Sequence, residues 1–262
     1  MNKAISADGT TIAFDRSGEG PPVIVVGGAF SERTHFAVVQ LAEHLAPHFT
    51  VYNYDRRGRG DSTDTAPYGV DREVDDLHAL IADAGGQAHV YGLSSGAALA
   101  LLAAARGLPI TKLVMHEPPF TVDDSRPTVP EDFAVRLAEL VAAGRRGDAV
   151  EYFMTNGMGM PNEAIGPMRA APVWPALEGL AHTLVYDTAI MGNNTLPARQ
   201  AAAVMAPTLV IAGGESPAWL RNAALALADA VPNAEHRVLE GQDHFAPDQV
   251  TIAQVLVEFL RS

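Results

Sequence analysis

Gly92-Leu93-Ser94-Ser95-Gly96 is the stretch from which the rest of the chain can be read. It follows the short apolar run Ala88-His89-Val90-Tyr91 and opens an alanine- and leucine-rich run, Ala97 to Ala105. The first run predicts a strand and the second a helix, so the five residues make a sharp strand-to-helix turn with a serine at its apex. The flanking glycines have a physical reason. Side chains there would collide with the neighbouring strand and helix, and the turn holds Ser94 in a strained backbone conformation. Ser94 is thereby exposed, and the free N–H groups at the start of the following helix point toward it.

Outward from this turn, strands and helices alternate. Asp8-Gly9 sits between Lys3–Ser6 and Thr11–Asp15, which reads as an antiparallel hairpin. Pro22-Val23-Ile24-Val25-Val26 is a buried-strand run ending in Gly27-Gly28, and Thr34 to Ala46 is helical. Thr50 to Tyr54 is a strand that ends in the turn Asp55-Arg56-Arg57-Gly58-Arg59-Gly60-Asp61-Ser62. Asp71 to Ala84 has helical spacing at Val74, Leu77, Leu80 and Ile81. Ile110 to Met115 is a further strand, closed by His116-Glu117-Pro118-Pro119. The alternation then breaks. Pro118 to about Ala201 holds helical segments at Glu131–Ala143, Asp148–Met154 and Trp174–Met191 and no convincing strand. Strand character resumes at Pro207–Ile211 and Glu235–Leu239, and an amphipathic helix closes the chain at Asp248–Leu260. Such alternation implies a mostly parallel sheet covered on both faces, with a helical insertion.

Composition narrows the function classes. A chain of 262 residues with 48% hydrophobic residues can bury a large core. Its formal net charge of −13 argues against nucleic acid or an anionic membrane as partner. The absence of cysteine excludes disulfides, thiolate zinc sites and cysteine nucleophiles. Met1 to Gly9 has no apolar run, and the longest apolar stretch, Ala97 to Ala105, is far too short to span a bilayer. A cytoplasmic protein acting on a small molecule, as monomer or homodimer, is expected. The histidines lack metal spacing, and Gly58 and Gly60 lack the third glycine of a dinucleotide fingerprint. Neither a metal nor a cofactor is expected.

Together, Gly27-Gly28-Ala29, the turn from Tyr54 to Ser62, the Ser94 turn and Gly241-Gln242-Asp243-His244-Phe245 resemble the α/β-hydrolase superfamily over nearly the whole length. The resemblance implies a mostly parallel, eight-stranded-type sheet. It implies a core formed by residues 1–117 and 202–262, and a helical cap, 118–201, inserted after the sixth strand. It also implies a Ser-acid-His triad in that chain order. Ser94 would be the nucleophile and His244 its base. The acid must fix the imidazole tautomer. Most of the family place it just after the seventh strand, where the chain reads Gly213-Gly214-Glu215-Ser216; Ser216 occupies the expected position and Glu215 is one residue early. Some relatives place it directly after the sixth strand, where Glu117 stands. Glu117 is the better placed candidate, Glu215 the alternative, and a cap carboxylate such as Asp187 a third. The Ala29 and Ser95 amides would form the oxyanion hole. Phe30 and Leu93 would be pocket walls. Methionines 154, 158, 160 and 168, with Phe153, Trp174 and Met191 nearby, would form either ordinary cap core or a deformable apolar roof, in which case Met154, Met158 and Trp174 join the pocket.

The expected activity is hydrolysis of a small, apolar carboxylic ester or lactone through an acyl-enzyme on Ser94. Serine rather than aspartate at position 94 argues against a haloalkane dehalogenase or an alkyl-enzyme epoxide hydrolase. A cofactor-free perhydrolase or haloperoxidase and a carbon–carbon hydrolase use the same triad. A catalytically silent ligand receptor is the alternative from a different class.

Overall fold

The computed structural model describes residues 1–262. In chain order its elements are β1 (Asn2–Ile5), β2 (Thr11–Ser17), β3 (Pro22–Val26), α1 (Phe36–Leu45), β4 (Thr50–Tyr54), α2 (Val70–Asp83), β5 (Ala88–Leu93), α3 (Ser95–Ala105) and β6 (Ile110–His116). Then come α4 (Phe133–Ala142), α5 (Arg146–Tyr152), α6 (Asn162–Arg169), α7 (Trp174–Gly179), α8 (Leu184–Met191) and α9 (Ala198–Ala201). The chain finishes with β7 (Thr208–Gly213), α10 (Ala218–Ala230), β8 (Ala234–Leu239) and α11 (Gln249–Arg261).

The eight strands form one sheet in the order β1-β2-β4-β3-β5-β6-β7-β8. β1 and β2 make the expected hairpin, β2 pairs antiparallel with β4, and every later pairing is parallel. Parallel strands buried on both faces need apolar runs rather than alternation, and β3 and β7 supply them in Val23–Val26 and Leu209–Ala212. One face is covered by α1 and α11, which bury Leu41, Leu45, Ile252 and Leu256 against Val23, Val25 and Ile211. The other face is covered by α2, α3 and α10. α3 is buried almost all round, and its alanines let it approach β5 and β6 closely. The chain leaves β3 toward β4 on one side, while β5 lies on the other. This reversal opens a crevice at the carboxyl ends of the strands.

Between β6 and β7 the helices α4 to α8 have a core of their own, in which Phe133, Leu137 and Leu140 of α4 meet Val150 and Leu184. Trp174–Met191, read from the sequence as one helix, is divided: α7 ends at Gly179, and a single tight turn, Ala181–Thr183, precedes α8. α5 runs into a widened π turn, Phe153–Gly157. α9 packs back on α3 and α10. No helix is long and apolar enough to cross a membrane.

Candidate active site

Ser94 stands between β5 and α3 with φ 56° and ψ −125°. Packing enforces this unfavourable backbone. A Cβ on Gly92 would lie 2.6 Å from the Gly96 carbonyl oxygen, and one on Gly96 would overlap the carbonyl oxygens of Val26 and Gly27. The Ser94 N–H donates to the His116 carbonyl at 2.9 Å, which pins the turn to β6. Four non-glycine residues have positive φ. Phe30, Ser94 and Asn194 line one cavity, and Glu117 lies just beneath it.

Glu117 follows β6 and is fully buried. Its Oε2 lies 2.7 Å from His244 Nδ1, and its Oε1 accepts from the Gly213 N–H at 2.8 Å. Burial alone raises the Glu117 carboxyl. The hydrogen bond from His244, with the positive charge that His116 and His244 carry once protonated, outweighs it and holds the group below the usual carboxylate range. An ionised Glu117 accepts a proton-bearing Nδ1, which leaves Nε2 of a neutral His244 as a bare base. Glu215 is exposed, and its side chain makes no hydrogen bond or ion pair. Asp187 is engaged elsewhere, as described below. Behind Glu117, His116 is buried. Tyr91 Oη lies 2.9 Å from its Nδ1, and Glu117 Oε2 lies 3.9 Å from its Nε2. Burial pushes His116 down to about 4, against the pull of the Glu117 charge, so it is neutral at neutral pH.

Ser94 and His244 line the same cavity, which has a volume of about 350 Å³. No hydrogen bond joins them, and such bonds commonly tighten only when substrate is bound. Ala29 and Ser95 line the cavity too. Their amides find no acceptor within the protein: Ala29 lies in a turn, and Ser95 is the first residue of α3. Both are therefore free to hold a developing oxyanion. Buried charges fix the two segments that carry them. Asp187 accepts from Arg56 Nη1 at 2.6 Å, Arg59 Nη2 at 2.7 Å and Ser95 Oγ at 2.7 Å. The same arginines reach the glycine turn: Arg59 Nη1 donates to the Gly28 carbonyl at 2.5 Å, and Arg56 Nη1 to the Gly27 carbonyl at 3.4 Å. One carboxylate thus ties the Gly27–Ala29 turn to the start of α3. Burial raises the Asp187 carboxyl, but Arg59 and Arg56 outweigh it and hold the group low.

The cavity walls are mostly apolar. Phe30, edge-on to Phe153 at 5.8 Å, lines it with Leu93, Met158 and Met191. Met154 and Trp174 depart from the expectation. Both are buried in the core of the insert, away from the cavity. The indole of Trp174 donates to Glu178 at 2.9 Å and carries Arg169 on its face, so its polar edge is satisfied on the far side. Arg126, which no motif singles out, also lines the cavity. No group of three or more side chains is arranged to hold a metal ion.

Residues 23–253 match the model of the alpha/beta hydrolase family. An alpha/beta hydrolase from Sphaerobacter thermophilus is 58% identical, with a TM-score of 0.94 over 99% of this chain and 100% of that one. Curated relatives match over shorter stretches. An N-formylmaleamate deformylase of Pseudomonas putida is 37% identical over 120 residues, and an uncharacterized hydrolase, YraK, of Bacillus subtilis is 33% identical over 124 residues. In both cases the match spans 44% of the relative's length.

Proposed function

The chain belongs to the alpha/beta hydrolase family, and we propose that it is a serine hydrolase cleaving a small carboxylic ester or lactone through an acyl-enzyme on Ser94. The observation that carries this reading is the 2.7 Å contact of Glu117 with His244 Nδ1, beside a cavity that His244 shares with Ser94. His244 Nε2 takes the Ser94 proton as Oγ attacks the carbonyl carbon. The Ala29 and Ser95 amides hold the oxyanion of the tetrahedral intermediate, a role worth about 3 kcal/mol per donor. The Glu117 charge stabilises the imidazolium, which then gives its proton to the leaving oxygen. Water enters and its oxygen attacks the acyl carbon as His244 takes one of its protons; His244 then returns that proton to Ser94 Oγ as the ester bond to Ser94 breaks and the acid leaves.

We read residues 118–201 as the cap over this cavity. Its walls at Phe30, Leu93, Met158 and Met191 suit a short apolar body better than a sugar. Similarity to a deformylase acting on N-formylmaleamate adds a formyl amide to the bonds worth assaying.

The test is a panel of p-nitrophenyl acetate and butyrate, γ- and δ-lactones and a simple N-formyl amide. Turnover of an ester or lactone is expected, with kcat lowered about 10⁶-fold in Ser94→Ala. Turnover that survives in Ser94→Ala, or none with any ester or lactone, would refute the proposal.

A further inference from the structure

Arg126 is a buried charge in the cavity that the mechanism above leaves unused. The residue is only 9% exposed. The other deeply buried arginines all meet a carboxylate: Arg56 reaches Glu73 at 2.8 Å, Arg57 reaches Asp76 at 2.6 Å and Arg59 reaches Asp187 at 2.7 Å. Arg126 meets none. Its partners are neutral: the Pro119 carbonyl and Thr121 Oγ1 at Nη1, and the Gly157 carbonyl, 3.1 Å from Nη2. Its plane lies over the ring of Trp219, 4.7 Å from the centroid. Burial pushes its guanidinium down to about 10, with no carboxylate to offset it. No carboxylate comes within 4.0 Å of it, although Asp123, Asp124 and Glu131 line a neighbouring polar pocket that Arg126 also borders. Asp187 is saturated by two arginines and Ser95, and Asp123 is held by Ser125 and by Asn222 at 2.7 Å.

A guanidinium has five N–H donors. The neutral partners take both on Nη1 and one on Nη2, so Nε–H and the second Nη2–H have no acceptor in the protein. A buried, uncompensated charge is expensive to maintain. Two free donors on one rigid fork match the two oxygens of a carboxylate. A phosphate group would bring more charge and more oxygen acceptors than this edge can satisfy.

We propose that Arg126 binds a free carboxylate of the substrate, so that the ester or lactone attacked by Ser94 is itself an anion. The proposal rests on the serine-hydrolase reading and narrows its substrate class. Pro119 and Gly157, which hold the guanidinium, lie just after Glu117 and at the end of the π turn. The anion site is thus built on the segment that leaves β6 and on the insert above it. The apolar walls then contact the chain between the carboxylate and the reacting carbonyl.

The experiment compares monoethyl with diethyl esters of succinate, glutarate and adipate, in wild type and in Arg126→Gln. In wild type, at least one half-ester is expected to exceed its diester in kcat/KM by about 10- to 100-fold, the worth of a charge-assisted hydrogen bond. In Arg126→Gln that ratio falls toward one, through KM of the half-ester, and any general loss common to both substrates cancels. If Arg126→Gln does not fold, Arg126→Lys keeps the charge without the fork and lowers the ratio part of the way. Diesters cleaved through Ser94 with no half-ester advantage would overturn the carboxylate site and leave the serine-hydrolase reading standing. If no ester is cleaved, titration with succinate decides. A succinate-dependent rise in Tm that is absent in Arg126→Gln supports the site, and no rise in wild type overturns it.

Discussion

Glu117 reaches His244 because β6 ends at His116 and the backbone turns sharply through φ 48° at the next residue. The turn aims the carboxylate along the sheet edge, across the end of β7, where the Gly213 amide holds its second oxygen. Glu117→Gln replaces an acceptor by an amide that can present a donor to Nδ1, which stabilises the wrong imidazole tautomer. A loss of about 10⁴-fold in kcat is expected, with the fold intact. Glu215→Gln, on an exposed side chain two residues beyond the end of β7, is expected to stay within about twofold, well under the 1.4 kcal/mol that a tenfold change represents. Steady-state rates on one ester check both. At this scale Ser94, His244 and Glu117 are legible because each sits at a strand end with turn residues around it. Arg126 is not. Its importance lies in the carboxylate that is missing beside it, and a single sequence cannot show which neighbours are absent. Met154 and Trp174 mislead for a related reason: apolar residues of an insert suit its own core as well as a pocket wall.

The strand-turn-helix unit sets the site at the level of elements. Gly96 is required by close approach, since β3 passes directly behind α3. Gly96→Ala is expected to cost at least 1–3 kcal/mol as overpacking, read from the denaturation midpoint. The Asp187 network acts between elements, since it joins α8 to the Gly27–Ala29 turn and to α3. Asp187→Asn leaves the buried Arg59 guanidinium with no counter-charge and Arg56 with Glu73 alone. A loss of about 3–5 kcal/mol is expected, together with a fall in kcat as the two oxyanion amides lose their shared anchor. The sheet strands and α1, α2, α3 and α11 are legible from apolar runs and helical spacing. α6 gives no such signal, because Gly166 and Pro167 interrupt a short stretch of mixed polarity. Half of the buried face of α10 is alanine (Ala223, Ala224 and Ala228), which marks a face weakly. The break between α7 and α8 follows Gly179, a residue that weakens a helix interior.

Across the whole molecule, the net charge of −13 conceals a buried electrostatic interior. Arg56, Arg57 and Arg59 look in sequence like a polar surface turn, yet all three are among the most buried side chains, paired with Glu73, Asp76 and Asp187. Stability must therefore depend on pH. His116 is held near 4 by burial, whereas an unfolded histidine titrates near 6.5. Between those values the unfolded chain binds a proton that the folded chain refuses, so stability falls as pH falls, by roughly 3 kcal/mol across the window. Glu117 and Asp187 are both held below the ordinary carboxylate range. Each contributes stability that is present above its unfolded value and lost as pH drops through its folded one. All three groups act in the same direction. Urea denaturation is expected to show a lower midpoint at pH 4.5 than at pH 7, and His116→Gln is expected to flatten the part of that decline above pH 4.

The most direct test of an activated serine is labelling of the purified protein with a fluorophosphonate, followed by peptide mass mapping. One adduct on Ser94, absent in His244→Ala and slowed in Glu117→Gln, is the expected result. No adduct on the folded protein, or an adduct on another residue with Ser94 unmodified, would contradict a nucleophile at Ser94.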